Sequence, residues 1–534
     1  MNLPPTPSPC TPQRVPNGPP PEGPSSLLAC FLDIVADWEP LFPQPRTYLR
    51  AVRQALGTLI CLGRRTLTRI IWATGGQNRD WRAEYFLFSR CHWNPAQLFT
   101  AILQRALAWC PGRYIGVAID DTRLRKTGLR IQQAFYQRDP LSPKFYTNLM
   151  FGLRFLQASL LVPLFRRAKV GTRALPIAFE EVSVVKRPRR KLPKRQTGKG
   201  KRTEPTEPLS PLEQEWKQYR AAQKTHNLST RFVNLMRRLR TTFDACGAAK
   251  KILLLAVDGS FCNRTVFTVV VQGVELIARA RKDIRLCFRA EAGSRRFYGV
   301  EKLTPEQVRL DDARPWKATK VFYGGKRRKV EYKEVGGIFW QGGARQRPLR
   351  LLVVRPTRYR KLKSRRYYYR RPAYLLTTVL SGTVRQLLQI YFDRWQIEVN
   401  HREEKDTLGV GQAQLRNVTA VPKQPAFAVA SYSALLLASL QAFGAERGKA
   451  YAALPKWRRR AARPSALDLI TLLRKEMTEN PDMVAHLGLN STDRNLNAAA
   501  AAWKMYKLQA PAVSAGGVLR PEQHRRQETA GATD

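Results

Sequence analysis

"RYIGVAIDDTRLRKTG", residues 113–128, sets an unbroken apolar run, Tyr114 to Ile119, directly against two aspartates. A run of that length with no polar alternation reads as a strand buried on both faces. It is expected to stop where the acids begin, delivering Asp120 and Asp121 at its end. Working outward, "KKILLLAVDGSF", 250–261, repeats the pattern and ends at Asp258. Between the two lie further strands in "LRFLQASLLVPLF" and "ALPIAFEEVSVV", then a long helix in "PLEQEWKQYRAAQKTHNLSTRFVNLMRRLRTTF", with Pro211 suited to its first turn. After Asp258 come a short helix in "NRTVFTVVVQG" and a strand in "VELIARARKDIRL". Residues 290–375, with "RKVEYKEVGGIFW", "PLRLLVVRP" and "KLKSRRYYYRR", read as a β-rich insertion with a basic surface. A helix follows in "SGTVRQLLQIYFDRWQIEVNHREEKDTLG", capped by Ser381 and broken near Gly409. Strands alternating with helices put part of the sheet parallel and covered on both sides, an α/β fold.

The remaining chain divides around that core. Residues 1–26 are rich in proline and read as a disordered tail, and 27–112 have helical periodicity. Within the latter, residues 64–90 with Gly75-Gly76 as the break read equally as a DNA-reading helix-turn-helix variant or as a brace for the core. The core then runs 113–271, with a basic loop at 186–210, and resumes at 376–445 after the strand and insertion of 272–375. Residues 446–534 are a basic and helical region with a tail, suited to dimer or DNA contacts.

Charge narrows the function. The 534 residues carry 93 Lys+Arg against 40 Asp+Glu, a formal charge of +53. Such an excess calls for a polyanion, and nucleic acid is the default. The eight cysteines form no C-x-x-C pair, which argues against zinc ribbons and a disulfide framework and suits a reducing cytoplasm; Cys91-His92 read as structural. Residues 1–26 have no apolar h-region and so do not read as a signal peptide, and the apolar stretch 426–445 reads as a buried core helix rather than a membrane span.

Against that background the acids stand out. Asp121, Asp258 and Glu398 occur where elements end or face inward, and in this fold they can converge at the carboxyl edge of the sheet. Three carboxylates so close repel unless a cation sits among them. Mg²⁺ is the natural guest, with Mn²⁺ as a substitute, and two ions about 3.5 to 4 Å apart could clamp an in-line phosphoryl displacement. Tyr391, Arg394, Glu398 and Lys405 are offset by 3, 7 and 14 positions, within an arc of roughly 60° on a helix. Arg394 and Lys405 can pair with DNA phosphates, and Tyr391 can hydrogen-bond a phosphate or stack on a base. His401 and Arg402 lie near the same arc.

The element order is that of an RNase H-like domain, and the spacing Y-x2-R-x3-E-x6-K at Tyr391, Arg394, Glu398 and Lys405 resembles the YREK signature of bacterial insertion-sequence DDE transposases. "IDDT" resembles that group's first catalytic aspartate, which selects Asp121 over Asp120, and "VDGSF" resembles the second, at Asp258. The resemblance covers roughly residues 113–445 and departs from the pattern over 181–250. It implies cut-and-paste transposition. A metal-activated water cleaves the transposon end, and the freed 3′-OH attacks target DNA or first forms a hairpin. Tyr391, Arg394 and Lys405 hold phosphate, and a tryptophan of the insertion, Trp340 with Trp316 behind it, stacks on a flipped base. The partners it implies are double-stranded DNA, both transposon ends and target, and a second copy of the chain. The place it implies is the bacterial cytoplasm, on the nucleoid. Two rivals remain: a non-catalytic transposase-derived DNA-binding protein, and a nuclease on the same fold.

Overall fold

In the computed structural model the described residues are 26–489, without 140–141, 144, 165–170, 186, 189, 191–209, 361–365, 456 and 458–460. The expected N-terminal tail, nearly all of the basic loop and the C-terminal tail lie outside them. Five helices come first: α1 (Leu27–Ala36), α2 (Pro45–Ile60), α3 (Leu67–Ala73), α4 (Trp81–Ser89) and α5 (Pro95–Ala106). Ser26, Thr66, Asp80 and Asn94 cap four of them by accepting a backbone N–H in the first turn. Gly75, at φ 66°, makes the left-handed break between α3 and α4.

The strands then begin with β1 (Tyr114–Arg125), β2 (Phe135–Arg138), β3 (Leu149–Val162) and β4 (Arg173–Glu181). The single long helix expected over 211–243 is two, α6 (Pro211–His226) and α7 (Leu228–Phe243), because Asn227 is extended and caps the second. Next come β5 (Ile252–Val257), α8 (Arg264–Phe267), β6 (Val274–Arg279), α9 (Pro305–Leu310), β7 (Lys317–Tyr323), β8 (Lys326–Phe339), α10 (Gln341–Ala344) and β9 (Pro348–Val354). A small hairpin, β10 (Arg358–Arg360) and β11 (Tyr367–Tyr369), precedes β12 (Ala373–Thr377). The chain finishes with α11 (Val384–Asp393), α12 (Trp395–Arg402), a π-helical stretch Glu403–Thr407, α13 (Ala420–Phe443), α14 (Ala466–Glu479) and α15 (Asp482–Ala485).

Among the described residues ten strands form one mixed sheet, in the order β2-β3-β1-β5-β6-β12-β9-β8-β7, with β4 also paired to β3. Only the centre is parallel, β1 with β5 and β5 with β6. The β-rich insertion is therefore not a separate layer. Its strands β7, β8 and β9 extend the main sheet through β12, which pairs antiparallel with both β6 and β9.

The first strand does not end at its acids. It runs five residues past Asp120, because β3 keeps pairing with it down to Arg125 opposite Gly152. A side chain at Gly152 would meet the Leu124 carbonyl oxygen at 2.3 Å, so the close approach there requires glycine. Beyond that row β2 pairs with β3 out to Leu149. This antiparallel ribbon reaches eight residues, roughly 25 Å, past the Asp120 row. On the other side β7 and β8 do the same. Glu334 lies in the row of Arg279, by way of Leu352 and Leu375, and the β8 ladder continues from there to Lys326. β5 and β6 stop short between these arms, leaving a notch at the carboxyl edge of the parallel strands.

One face of the sheet is covered by α11 and α12, with Leu387 and Leu388 against Leu254, Ala256 and Ile277, and Ile397 against Ala118 and Leu161. The other face belongs to the main core, which the N-terminal helices and α13 complete. Helix α13 is long and apolar enough to cross a membrane, yet its apolar window is 83% buried within the protein, as expected for residues 426–445. Phe427 at its heart packs against Trp38, Phe88 and Trp93.

Candidate active site

Strand pairing decides which acids meet. Ile119 is the partner of Val257, the last residue of β5, so Asp120 on β1 comes level with Asp258, the first residue past the parallel β5. Side chains alternate along a strand, and Ala118 and Ala256 lie on the face that α11 and α12 cover. Asp120 therefore turns to that face, and Asp121 to the opposite one, where Arg154 Nε donates to its Oδ2 at 2.8 Å. On geometry the sequence choice is reversed: Asp120, not Asp121, shares a face with Asp258 and Glu398.

Arg394 ties the group together. Its guanidinium lies 3.8 Å from Asp120 Oδ2 and 3.1 Å from Glu398 Oε1. Burial, opposed by Arg394 and helped by the like charges of Asp121 and Asp258, lifts the Asp120 carboxyl to about 7. Burial also raises Glu398, again with Arg394 opposing and Asp258 adding. Tyr391 stands within the same field: burial raises its phenol, while Arg394 and Arg279, at the end of β6, lower it and Asp258 raises it. Of the four residues expected on one helix face, Tyr391, Arg394 and Glu398 do gather.

Lys405 does not join them. The helix boundary at Arg394 leaves the chain helical, but Glu403–Thr407 is π-helical, with the Leu408 N–H bonded to the Glu403 carbonyl five residues back. Such a stretch breaks the 100° step on which the expected arc depends. The charges that act on Lys405 are Glu404, Asp406, Arg123 and Asp121, at the root of the β1–β3 arm. Helix α11 begins at Thr383, whose hydroxyl accepts from the Gln386 N–H, rather than at Ser381, whose carbonyl accepts from the Tyr114 hydroxyl.

Trp340 is placed for packing. Its indole sits edge-on to Phe267 at the end of β8, partly buried against the main core. Trp316 lies between Lys333 and Arg355, 4.8 and 5.4 Å from its ring centre, and lines a cavity of about 470 Å³ with Arg309, Asp312 and Tyr369. Trp395, next to Arg394, is 57% exposed, and its sequence neighbourhood gave no sign of that.

Behind the acids lies a polar network that the sequence did not reveal. Gln157, opposite Asp120 on β3, donates to Glu404 Oε1 at 2.8 Å, and Asn400 donates to Ser159 Oγ at 3.2 Å. Burial lifts the Glu404 carboxyl to about 8, against the pull of the Gln157 hydrogen bond. A carboxyl raised from 4.5 favours the folded state when protonated. That contribution is complete below about pH 4.5 and is lost as pH rises through 8. Wild-type protein is therefore expected to lose urea resistance between pH 5 and 8, and Glu404→Gln to lose less over the same window. Identical pH dependence of the two urea midpoints would show that Glu404 is charged in the folded protein.

Among the described residues no group of three or more His, Cys, Asp or Glu is gathered closely enough to hold a metal ion. The donor chemistry still suits a hard divalent cation: Asp120, Asp258 and Glu398 offer only carboxylate oxygens, Asp120 is half-buried, and a guanidinium lies between it and Glu398. Compared with known families and curated proteins, the chain matches no family model and no curated sequence.

Proposed function

We propose that the protein is a DDE-type DNA transposase, acting on transposon ends and target DNA as a homodimer with Mg²⁺ or Mn²⁺, on an RNase H-like core. The observation that carries this reading is that Asp120, on β1, and Asp258, just past the end of the parallel β5, come side by side under a helix that brings Glu398 and Arg394 to the same spot. The strand order supports the RNase H-like assignment: an antiparallel β1-β3-β4 set joined to parallel β5 and β6.

Asp120, Asp258 and Glu398 supply the anionic oxygens. A divalent ion bound to them would lower the pKa of a water and neutralise charge building on the phosphoryl oxygens. The chain does the rest. Arg394 and Tyr391 border the acids and can hold the phosphates that flank the scissile one. An ion held by Asp120 and Glu398 would offset their charge, and Arg394 would then be available for that task. Lys405, displaced toward Arg123, would meet phosphate further along the β1–β3 arm.

The arms suit a polyanion. Residues 317–332, in the β7–β8 arm, hold six Lys or Arg and one acid, and the sequence 355–371 between β9 and β12 has nine and none. Counterions released from DNA by such surfaces make binding fall steeply with salt. The test is Mg²⁺-dependent nicking of the DNA that flanks the gene, where this reading expects terminal inverted repeats. Site-specific nicking at a repeat, abolished by EDTA, is expected. Salt-sensitive binding with no nicking in any divalent ion would leave the non-catalytic DNA-binding reading instead, and nicking indifferent to the repeats the nuclease one.

A further inference from the structure

The turn between β2 and β3 presents aromatic rings to solvent at the far end of the first arm. Phe145 is 92% exposed, Tyr146 65% and Tyr136 64%. The turn holds them there by its own bonds. The Asp139 N–H donates to the Asn148 carbonyl at 2.9 Å. Ser142 Oγ accepts from the Asn148 N–H at 3.0 Å and donates to the Asn148 carbonyl at 3.1 Å. Tyr136 is braced by Phe151, ring centres 5.0 Å apart. Among the described residues neither ring is packed into the fold, so both present apolar surface to a partner.

The charge around the rings says what kind. From 135 to 150 the sequence has two basic residues, Arg138 and Lys144, and a single acid, Asp139. Arg125 lies 3.4 Å from that acid. Arg138, the last residue of β2, stands exposed at the start of the turn. Rings with arginines beside them and no free acid match an unpaired nucleic-acid strand, whose bases stack on the rings while its phosphates meet the guanidinium groups. Duplex DNA offers no open base faces to such rings, and a lipid surface would leave the stacking geometry unused. The arm is a continuous ladder from Asp120 to this turn, so a strand leaving the acidic site along it arrives at the rings.

We propose that the β2–β3 turn is a stacking platform for a single-stranded segment of the DNA held at the acidic site, with Phe145 and Tyr146 as its base-contacting rings. The proposal rests on the DNA reading above and adds a substrate preference to it: ends with an unpaired tail bind more tightly than blunt ends.

The experiment compares full-length wild-type protein with a Phe145→Ala/Tyr146→Ala variant, by fluorescence anisotropy. The probes are a blunt duplex and the same duplex with a single-stranded tail of about ten nucleotides, within the range one such platform covers. Wild type is expected to prefer the tailed probe. The variant is expected to lose about ten- to a hundredfold in affinity for the tail, with blunt-duplex affinity unchanged. A Phe145→Trp variant, which keeps a stacking ring, should retain the preference, and that rescue separates stacking from misfolding. Equal affinity of wild type for both probes would overturn the platform while leaving the DNA reading intact. So would a variant that keeps the tail preference, or one whose only change is loss of dimer in sedimentation. Failure of wild type to bind either probe would overturn both.

Discussion

Asp120→Asn is expected to lower DNA nicking by about a thousandfold or more, whereas Asp121→Asn should leave most of it, in the same assay and at equal DNA occupancy. The contrast follows from one row of the sheet. Asp120 occupies the row after Ile119↔Val257, beside Asp258, and lies 3.8 Å from the Arg394 guanidinium that also holds Glu398. Asp121 is turned away and is paired with Arg154 at 2.8 Å. Removing the Asp121 charge leaves Arg154 without its partner and loosens the root of the first arm. The expected signature is a modest loss of stability with catalysis retained. The reverse result, with Asp121→Asn inactive and Asp120→Asn active, would mean that the strand is read from the wrong face.

The largest expected effect on stability is at Phe427. Its side chain is fully buried, and Phe88, Trp93 and Trp38 surround it with ring centres 5.5, 5.8 and 5.9 Å away. Truncation to Ala removes the shared centre of that cluster and leaves a cavity the three large rings cannot close. A loss of about 3–5 kcal/mol is expected, read from urea unfolding followed by tryptophan fluorescence. Because the cluster joins the segment after α1, α4 and the segment before α5 to α13, the N-terminal helices should loosen first. A loss below about 1 kcal/mol would show that these helices are not bound to the core through this contact.

Much of the central sheet could be read from residues alone. Runs such as Ile252–Val257 are apolar throughout because helices cover both faces, and that makes the strand plain. The same property hides the faces. With no alternation in Tyr114–Ile119, nothing in the sequence tells which of Asp120 and Asp121 looks toward α12; the register with β5 does. β2 escaped because four residues with mixed burial carry too little pattern, and its pairing with β3 is set by a turn. The insertion was legible as β-rich. That its strands continue the core sheet depends on β12 meeting both β6 and β9, a contact between residues about 100 apart in one case. The grouping of Tyr391, Arg394 and Glu398 followed from helical spacing, and Lys405 left the group because a π-helical stretch interrupts that spacing. Gln157 and Glu404 could not be seen, since a buried Glu looks like any surface one until its partners are known.

The claim underlying all of this is that Asp120, Asp258 and Glu398 act as one cation-binding group in a DNA-holding notch. Anomalous scattering from crystals of the protein with a DNA end and Mn²⁺ tests it most directly. The account predicts an anomalous peak within coordination distance of oxygens from Asp120, Asp258 and Glu398, with Arg394 swung onto a DNA phosphate. Manganese bound through Asp121, or found only away from these three residues while DNA fills the notch, would contradict it.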